Sequence, residues 1–420
     1  VHSTPVFVGA PNRAGRDASP FPQSPNLYSA FASASAQINR QDVIYVEAND
    51  GMLHGFDATD GSEVFGFVPN NLMLGAFSRK LTELLDFEYS HKFFNDLTPA
   101  INDVFMDRDG GTGPNKEWTT LLIGGQGAGA KAYYALDITD PALLKESSAG
   151  DIVLWEFTDT DDSYPTDAFG LPLRTSAALR FDLQAIPRPV KDLGYTFNPP
   201  SIAMSNVEDS NGNNEWVAIF GNGFNSTAGI AKLFVLFVDR GADGDWCHPD
   251  MRYNNGNETE IVPENCSGKQ DFVKIDTGFG VNGGFPNGLG AARSIDADSN
   301  GTVDYVYAGD TFGNFFRFDL TSSVHSEWSF TKIFKAEYED SDGNFVNQPI
   351  TAQPIVTRHP TEPEGFIVLF GTGSYITVSD GSDKGIQSIY ALWDRLSPEL
   401  LDIDDLVRQR YLNEVGVANA

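Results

Sequence analysis

Short runs of Val, Ile, Phe, Tyr and Trp recur along the chain, some continuously apolar and some alternating with polar residues. They end at Gly, Pro, Asn or Asp. A period of two marks a strand with one covered face, and frequent turn formers mark antiparallel sheets. Helical periodicity is confined to Asn71–Phe87 and Ser397–Leu412. The second opens Ser-Pro-Glu-Leu, which places Ser397 as an N-cap and Pro398 in the first turn.

Compared with itself, the chain repeats a phrase. A lead-in of small residues and proline opens a first strand at Ser3–Val8, Leu97–Phe105, Phe197–Met204, Leu289–Ile295 and Ile350–Val356. A second strand runs to glycine or an acidic turn at Val43–Gly51, Trp118–Gly125, Trp216–Gly223, Asp304–Asp310 and Phe366–Gly373. A third ends in Asp at Met52–Asp57, Ala132–Asp137, Leu233–Asp239, Asn314–Asp319 and Gln387–Asp394. Fourth strands stand at Val64–Val68, Ile152–Phe157, Phe272–Ile275 and Trp328–Phe334. Four strands repeated every 60 to 100 residues or so predict the blades of an all-β propeller. Five blades can be counted, and any others must come from the irregular stretches Gly75–Asn95 and Leu171–Gly194. Residues 1–420 read as one propeller domain whose loops carry insertions, where binding residues concentrate.

Composition narrows the partners. The chain has 28 Lys and Arg against 58 Asp and Glu, a formal net charge of −30. That charge opposes a nucleic-acid partner and docking on anionic lipid. With 41% hydrophobic and 12% aromatic residues, the chain has the apolar material for a large core. The longest apolar stretch, Leu233–Val238, is far too short to insert in a membrane. No signal peptide is visible and the first residue is Val1, so the chain reads as a piece of something longer. Cys247 and Cys266 share one polar insert with no apolar strand around it. A disulfide between them is expected, implying an oxidising compartment and contributing about 3 kcal/mol.

The most specific local signal is Asp296-Ala-Asp298-Ser-Asn300-Gly301-Thr302-Val-Asp304. Alternate residues of a tight loop point inward, so Asp296, Asp298 and Asn300 can converge on one cation. The Thr302 carbonyl and the Asp304 carboxylate complete an all-oxygen shell, which suits Ca2+. The loop is not an EF-hand, because Tyr307 stands where a bidentate Glu would close the shell. The plain alternative is an Asx-rich turn. Asp209–Glu215 and Asp107–Asp109 are weaker echoes at matching blade positions that lack the full spacing, so they read as degenerate turns first and as second ion sites only after that, and Asp340–Asn344 is weaker still.

Gly125-Gln-Gly127-Ala-Gly129-Ala130 fits a dinucleotide fingerprint, but the segment after it reads as a strand, leaving no helix N-terminus for a pyrophosphate. The six histidines form no metalloprotease pair, and there is no G-x-S-x-G elbow. His54 is expected in a strand, packed or facing the pore. A non-enzymatic binding module is therefore expected.

The segments Val43–Leu72, Trp118–Pro141, Glu215–Ser226, Asp296–Leu320 and Gly385–Asp394 together resemble the C-terminal propeller of the PilC/PilY family. These are type IV pilus tip-associated assembly and adhesion proteins. The opening Val1–Asn12 is similar to that domain's usual start. The resemblance covers essentially the whole chain and implies a modified, quinoprotein-like propeller of seven blades. It also implies Ca2+ in the Asp296–Asp304 loop, which follows the family's D-x-D-x-N-x-x-x-D pattern residue for residue. The implied function is regulation of pilus extension and retraction, with surface adhesion and twitching motility, outside the cell at the pilus tip or outer membrane after export through the periplasm. The implied partners are minor pilins, with a host or abiotic surface beyond them. A plainer alternative is a surface adhesin whose calcium is purely structural, and the fold also admits a rival, a quinone-dependent dehydrogenase. Such enzymes draw calcium ligands from scattered blades rather than from one loop.

Overall fold

The structure, a computed structural model, describes residues 2–12, 15–74, 81–109, 115–162, 191–248, 270–282, 284–362, 364–401, 403 and 406. Blade 1 is β1 (Val6–Val8), β2 (Val43–Glu47), β3 (Leu53–Asp57) and β4 (Glu63–Phe67). Blade 2 is β5 (Ala100–Met106), β6 (Glu117–Gly125), β7 (Ala132–Asp137) and β8 (Val153–Thr158). Blade 3 is β9 (Ser201–Glu208), β10 (Asn214–Gly221), β11 (Lys232–Phe237) and β12 (Phe272–Asp276). Blade 4 is β13 (Arg293–Ile295), β14 (Tyr305–Gly309), β15 (Asn314–Asp319) and β16 (Ser329–Lys335). A ribbon, β17 (Glu337–Glu339) and β18 (Phe345–Asn347), precedes the three strands of blade 5. These are β19 (Ile355–Arg358), β20 (Phe366–Gly371) and β21 (Ile389–Asp394). Strands pair antiparallel in chain order within every blade. First strands of successive blades adjoin, β5 with β9, β9 with β13 and β13 with β19.

The hydrophobic pattern explains the stacking. In β11 and the residue after it, Leu233, Val235 and Phe237 pack with blade 4, while Phe234, Leu236 and Val238 pack with blade 2. The run LFVLFV is continuous because both faces of blade 3 are covered. Blade 2 behaves likewise: Tyr133 and Ala135 face blade 3, and Tyr134 and Leu136 face blade 1. The end blades instead alternate, with Val43, Tyr45 and Glu47 of β2 buried and Ile44 and Val46 half-buried. Four apolar clusters thus lie between consecutive blades rather than in one central core. Each fully buried Phe or Leu contributes about 2–3 kcal/mol.

Buried polar residues at the ends of second strands tie each blade to the next. Glu47 accepts from the Leu97 amide of blade 2 (2.8 Å), and Asn222 accepts from the Leu289 amide of blade 4 (2.9 Å). The Asp310 carbonyl accepts from the Ile350 amide of blade 5 (2.9 Å).

Every strand expected in the five blades is present, displaced by a few residues at most. The seven-blade number rests on the resemblance alone. Residues 81–95 of the first irregular stretch carry no strand, and residues 163–190 lie outside the described set. The helix expected at Asn71–Phe87 is two short pieces among the described residues, Asn70–Leu74 and a 3-10 turn at Leu81–Leu85. Of the helix expected at Ser397–Leu412, residues 397–401 are not helical, with the Ser397 hydroxyl accepting from the Glu399 amide at 3.1 Å in a serine turn, and residues 402, 404–405 and 407–412 lie outside the described set. Cys247 is completely buried, contrary to the expectation from its polar surroundings, and its amide donates to the Asp271 carboxylate at 2.7 Å. Cys266 lies outside the described residues. Among the described residues no helix is long and apolar enough to cross a membrane.

Candidate metal centre

The acidic loop joins β13 to β14 and is pinned to blade 3. Thr302 bridges Met204 of β9, whose carbonyl accepts from the Val303 amide at 2.8 Å. The Thr302 hydroxyl donates to the Asn206 amide oxygen at 2.7 Å. The Asn206 amide nitrogen donates to the carbonyls of Val303 (2.9 Å) and Leu320 (3.1 Å). The chain reverses through Ser299 at φ +65° and Gly301 at φ +110°. A Cβ on Gly301 would stand 2.4 Å from Cε2 of Phe21, so glycine is needed for space as well as for backbone.

This turn converges Asp296, Asp298 and Asp304, each offering a carboxylate oxygen within 4.8 Å of the other two. Amides hold them in place. Asp296 accepts from Asn300 (3.1 Å) and Gly301 (2.8 Å), Asp298 from Asn300 (3.0 Å), and Asp304 from Ala297 (2.6 Å) and Asp298 (3.3 Å). Asp304 is buried while Asp296 and Asp298 face solvent. Burial pushes the Asp304 carboxyl up and repulsion from Asp298 and Asp296 adds to it, against the opposing hydrogen bonds from Ala297 and Asp298. The Asn300 amide oxygen accepts from the Thr302 amide at 2.7 Å. Three of the five expected ligand residues therefore converge by their carboxylates, and the other two bond to each other.

The donor set fits a hard divalent cation. Oxygens that bind one calcium ion at about 2.4 Å lie within about 5 Å of each other. The two nearby guanidinium groups serve backbone: Arg16 donates to the Ser299 carbonyl at 2.7 Å, and Arg358 to that of Ala297. Among the described residues no basic side chain forms an ion pair with the three carboxylates. A divalent cation would neutralise them.

Comparison with known proteins follows the same line. Residues 1–244 and 264–399 match the family described as the PilY1 beta-propeller domain. The chain belongs to the PilY1 β-propeller family. It is 32% identical over 418 residues to the type IV pilus biogenesis factor PilY1 of Pseudomonas aeruginosa, covering 94% of this chain and 28% of that protein. It is 31% identical over 382 residues to a PilY1 homologue of Xylella fastidiosa, covering 88% of this chain and 20% of that one. The chain thus spans less than a third of the length of these relatives. The crystal structure of the P. aeruginosa PilY1 C-terminal domain superposes with a TM-score of 0.62 at 31% identity, covering 93% of this chain and 65% of that one.

Elsewhere in this PilY1-family propeller the weaker acidic echoes have other jobs. Asp209, Asp310 and Asp340 each open the turn Asp-x-x-Gly-Asn, and each Oδ1 accepts from the amides two and four residues on. These aspartates cap hairpins. The remaining oxygen of Asp209 meets the Lys116 ammonium at 3.0 Å, which also meets Asp239 at 2.8 Å. Glu215 pairs with Arg240. A cationic side chain thus stands where the echo suggested an ion. Asp107 accepts from the Asp109 amide at 3.0 Å, and residues 110–114 beyond it lie outside the described set. The Gly125–Ala130 segment turns from β6 directly into β7, with no helix for a dinucleotide. His54 lies in β3, bound through its two ring nitrogens to Glu63 (2.6 Å) and Asp50 (2.9 Å).

Proposed function

We infer that this chain is the calcium-binding propeller of a type IV pilus biogenesis factor, a non-enzymatic module exported to the cell surface. It regulates pilus extension and retraction and supports adhesion and twitching motility through contacts with minor pilins at the pilus tip and with a host or abiotic surface. The observation that carries this reading is the convergence of Asp296, Asp298 and Asp304 in a chain of this family. An expected Cys247–Cys266 disulfide accords with the extracytoplasmic setting.

Asp296, Asp298 and Asp304 would hold the ion, with the Asn300 side chain and the Thr302 carbonyl as further oxygen donors. The cation supplies charge neutralisation and one shared point of attachment. Thr302 is buried against blade 3 and Asp304 is buried at the base of the loop, whereas Asp298 faces solvent. Drawing these residues together therefore orders an exposed turn on a fixed base, and an ordered turn can present or withhold a binding surface.

The test is calorimetry and thermal melting of the chain with and without calcium, repeated with Asp304→Ala. Saturable binding and a rise in Tm are expected for wild type, equivalent to about 2.7 kcal/mol at a hundredfold excess over Kd. Both should be lost in the variant. A wild type that neither binds nor melts higher with calcium overturns the reading. Pull-down of minor pilins with and without calcium then tests the regulatory part.

A further inference from the structure

Between the acidic loop and the end of blade 5 lies a cleft of about 360 Å³, lined by Ala297, Arg358, Glu364, Phe366, Arg395 and Leu396. Its two walls are built rather than incidental. On one side the Arg358 guanidinium, over the ring of Phe366, donates to the Ala297 carbonyl and so joins β19 to the acidic loop. On the other side Arg395 lies over the ring of Trp393, 3.8 Å from its centroid, with His359 also stacked on that ring.

The floor is fixed from behind. Arg317 and the Tyr307 hydroxyl bind the buried Asp394 carboxylate at 2.7 and 2.8 Å. Asp394 in turn accepts from the Leu396 amide at 2.9 Å and holds Leu396 at φ +59°, in the left-handed region that a leucine rarely adopts. Strain of this kind persists where the surroundings over-determine it, and it collects at ligand clamps. Gly365 is similarly constrained, because a Cβ there would stand 2.1 Å from the Asp394 carbonyl oxygen.

We propose that this cleft binds a single carboxylate, as an Asp or Glu side chain or a free C-terminus of a partner protein, between the guanidinium groups of Arg358 and Arg395. Planar guanidinium groups bind carboxylates through paired, charge-assisted hydrogen bonds. The lining carries two Arg and one Glu, and Asp296 and Asp298 flank Ala297, acidic surroundings that disfavour a phosphate dianion more than a monocarboxylate. A net charge of −30 on the whole chain repels polyanions, but it is screened beyond about 10 Å and leaves a short-range guanidinium pair free to act. Arg358 holds the Ala297 carbonyl of the acidic loop, so binding is read both without and with calcium.

The probes are N-acetylglutamate α-N-methylamide for a side-chain carboxylate and N-acetylalanine for a C-terminus, with the neutral N-acetylglutamine N-methylamide and inorganic phosphate as controls, followed through the arginine Nε–Hε NMR signals without and with calcium. Saturable shifts of Arg358 and Arg395 with the carboxylate are expected, weakened about tenfold or more in Arg358→Gln/Arg395→Gln. Arg395→Gln alone, at an exposed position, keeps the test valid if the double variant folds poorly. Absence of saturation, equal binding by the neutral amide, unchanged affinity in Arg395→Gln, or tighter binding of phosphate each overturns the proposal. The readout lies at the two arginines, whereas calcium binding by the loop is read by calorimetry, so failure here and failure of the calcium reading are separate results.

Discussion

The Thr302 hydroxyl donates a 2.7 Å hydrogen bond to the side-chain oxygen of Asn206, which ties the acidic loop of blade 4 to the first strand of blade 3. The same asparagine serves two further carbonyls, of Val303 and Leu320. Replacing it with alanine leaves these groups without their partner. Asn206→Ala is expected to cost about 2–3 kcal/mol in chemical denaturation and to weaken calcium binding as the loop loses its base. In a double-mutant cycle with Thr302→Val the two losses should be less than additive. Strict additivity would mean that the bond couples nothing.

A second prediction concerns Lys116. Burial works against its charge, but Asp239 and Asp209 outweigh it and hold its pKa above the ordinary value. Lys116→Met would strand two buried carboxylates without their cation, at a cost of about 3–5 kcal/mol. Adding Asp239→Asn to Lys116→Met should return part of that stability, because one stranded charge is removed. A shift of the urea midpoint in that order checks it, and a Lys116→Met protein as stable as wild type rejects it.

How far such features can be read from sequence depends on the range of the interaction. The strands were legible because covered and open faces leave a local period, and the doubly covered blades announced themselves through continuous runs such as LFVLFV. The β17–β18 ribbon was not, because its three-residue strands are too short to show a period. The convergence of Asp296, Asp298 and Asp304 was legible because one turn brings it about. The echo at Asp209 was ambiguous because Asp-x-x-Gly-Asn is at once a hairpin signature and a fragment of a metal loop, and its hydrogen bonds are those of the turn. Its recurrence at Asp310 and Asp340 was the available clue. Asn206, Phe21, Arg358 and Lys116 gave no signal, since each meets its partner only after distant blades have packed.

A pH prediction follows from His54. Burial alone would lower its pKa, but the hydrogen bonds and charges of Glu63 and Asp50 outweigh burial and raise it above the ordinary 6.5. A histidine whose pKa is raised by folding adds stability below its unfolded pKa, and that contribution is lost as pH rises through the folded value. The Tm difference between wild type and His54→Gln should therefore be larger at about pH 5.5 than at about pH 8.5. An NMR titration should place the His54 midpoint above that of an unfolded peptide. A difference that grows toward alkaline pH would contradict the assignment.

The last prediction separates backbone strain from crowding at the turn of the acidic loop. Gly301→Ala introduces a side chain at φ +110°, which alone costs about 1–3 kcal/mol. It also drives a Cβ toward Phe21, which packs in the apolar cluster between blades 2 and 3. In the background Phe21→Leu the crowding is relieved while the backbone strain stays. The cost of Gly301→Ala, measured as the shift in denaturation midpoint, should therefore be smaller in Phe21→Leu than in wild type but should not vanish. Calcium affinity should fall with Gly301→Ala in both backgrounds, because the amide of residue 301 is one of those that aim Asp296. An equal cost in the two backgrounds would mean that the loop yields without pressing on Phe21. Undiminished calcium affinity would mean that the reversal at Gly301 does not set the spacing of the carboxylates.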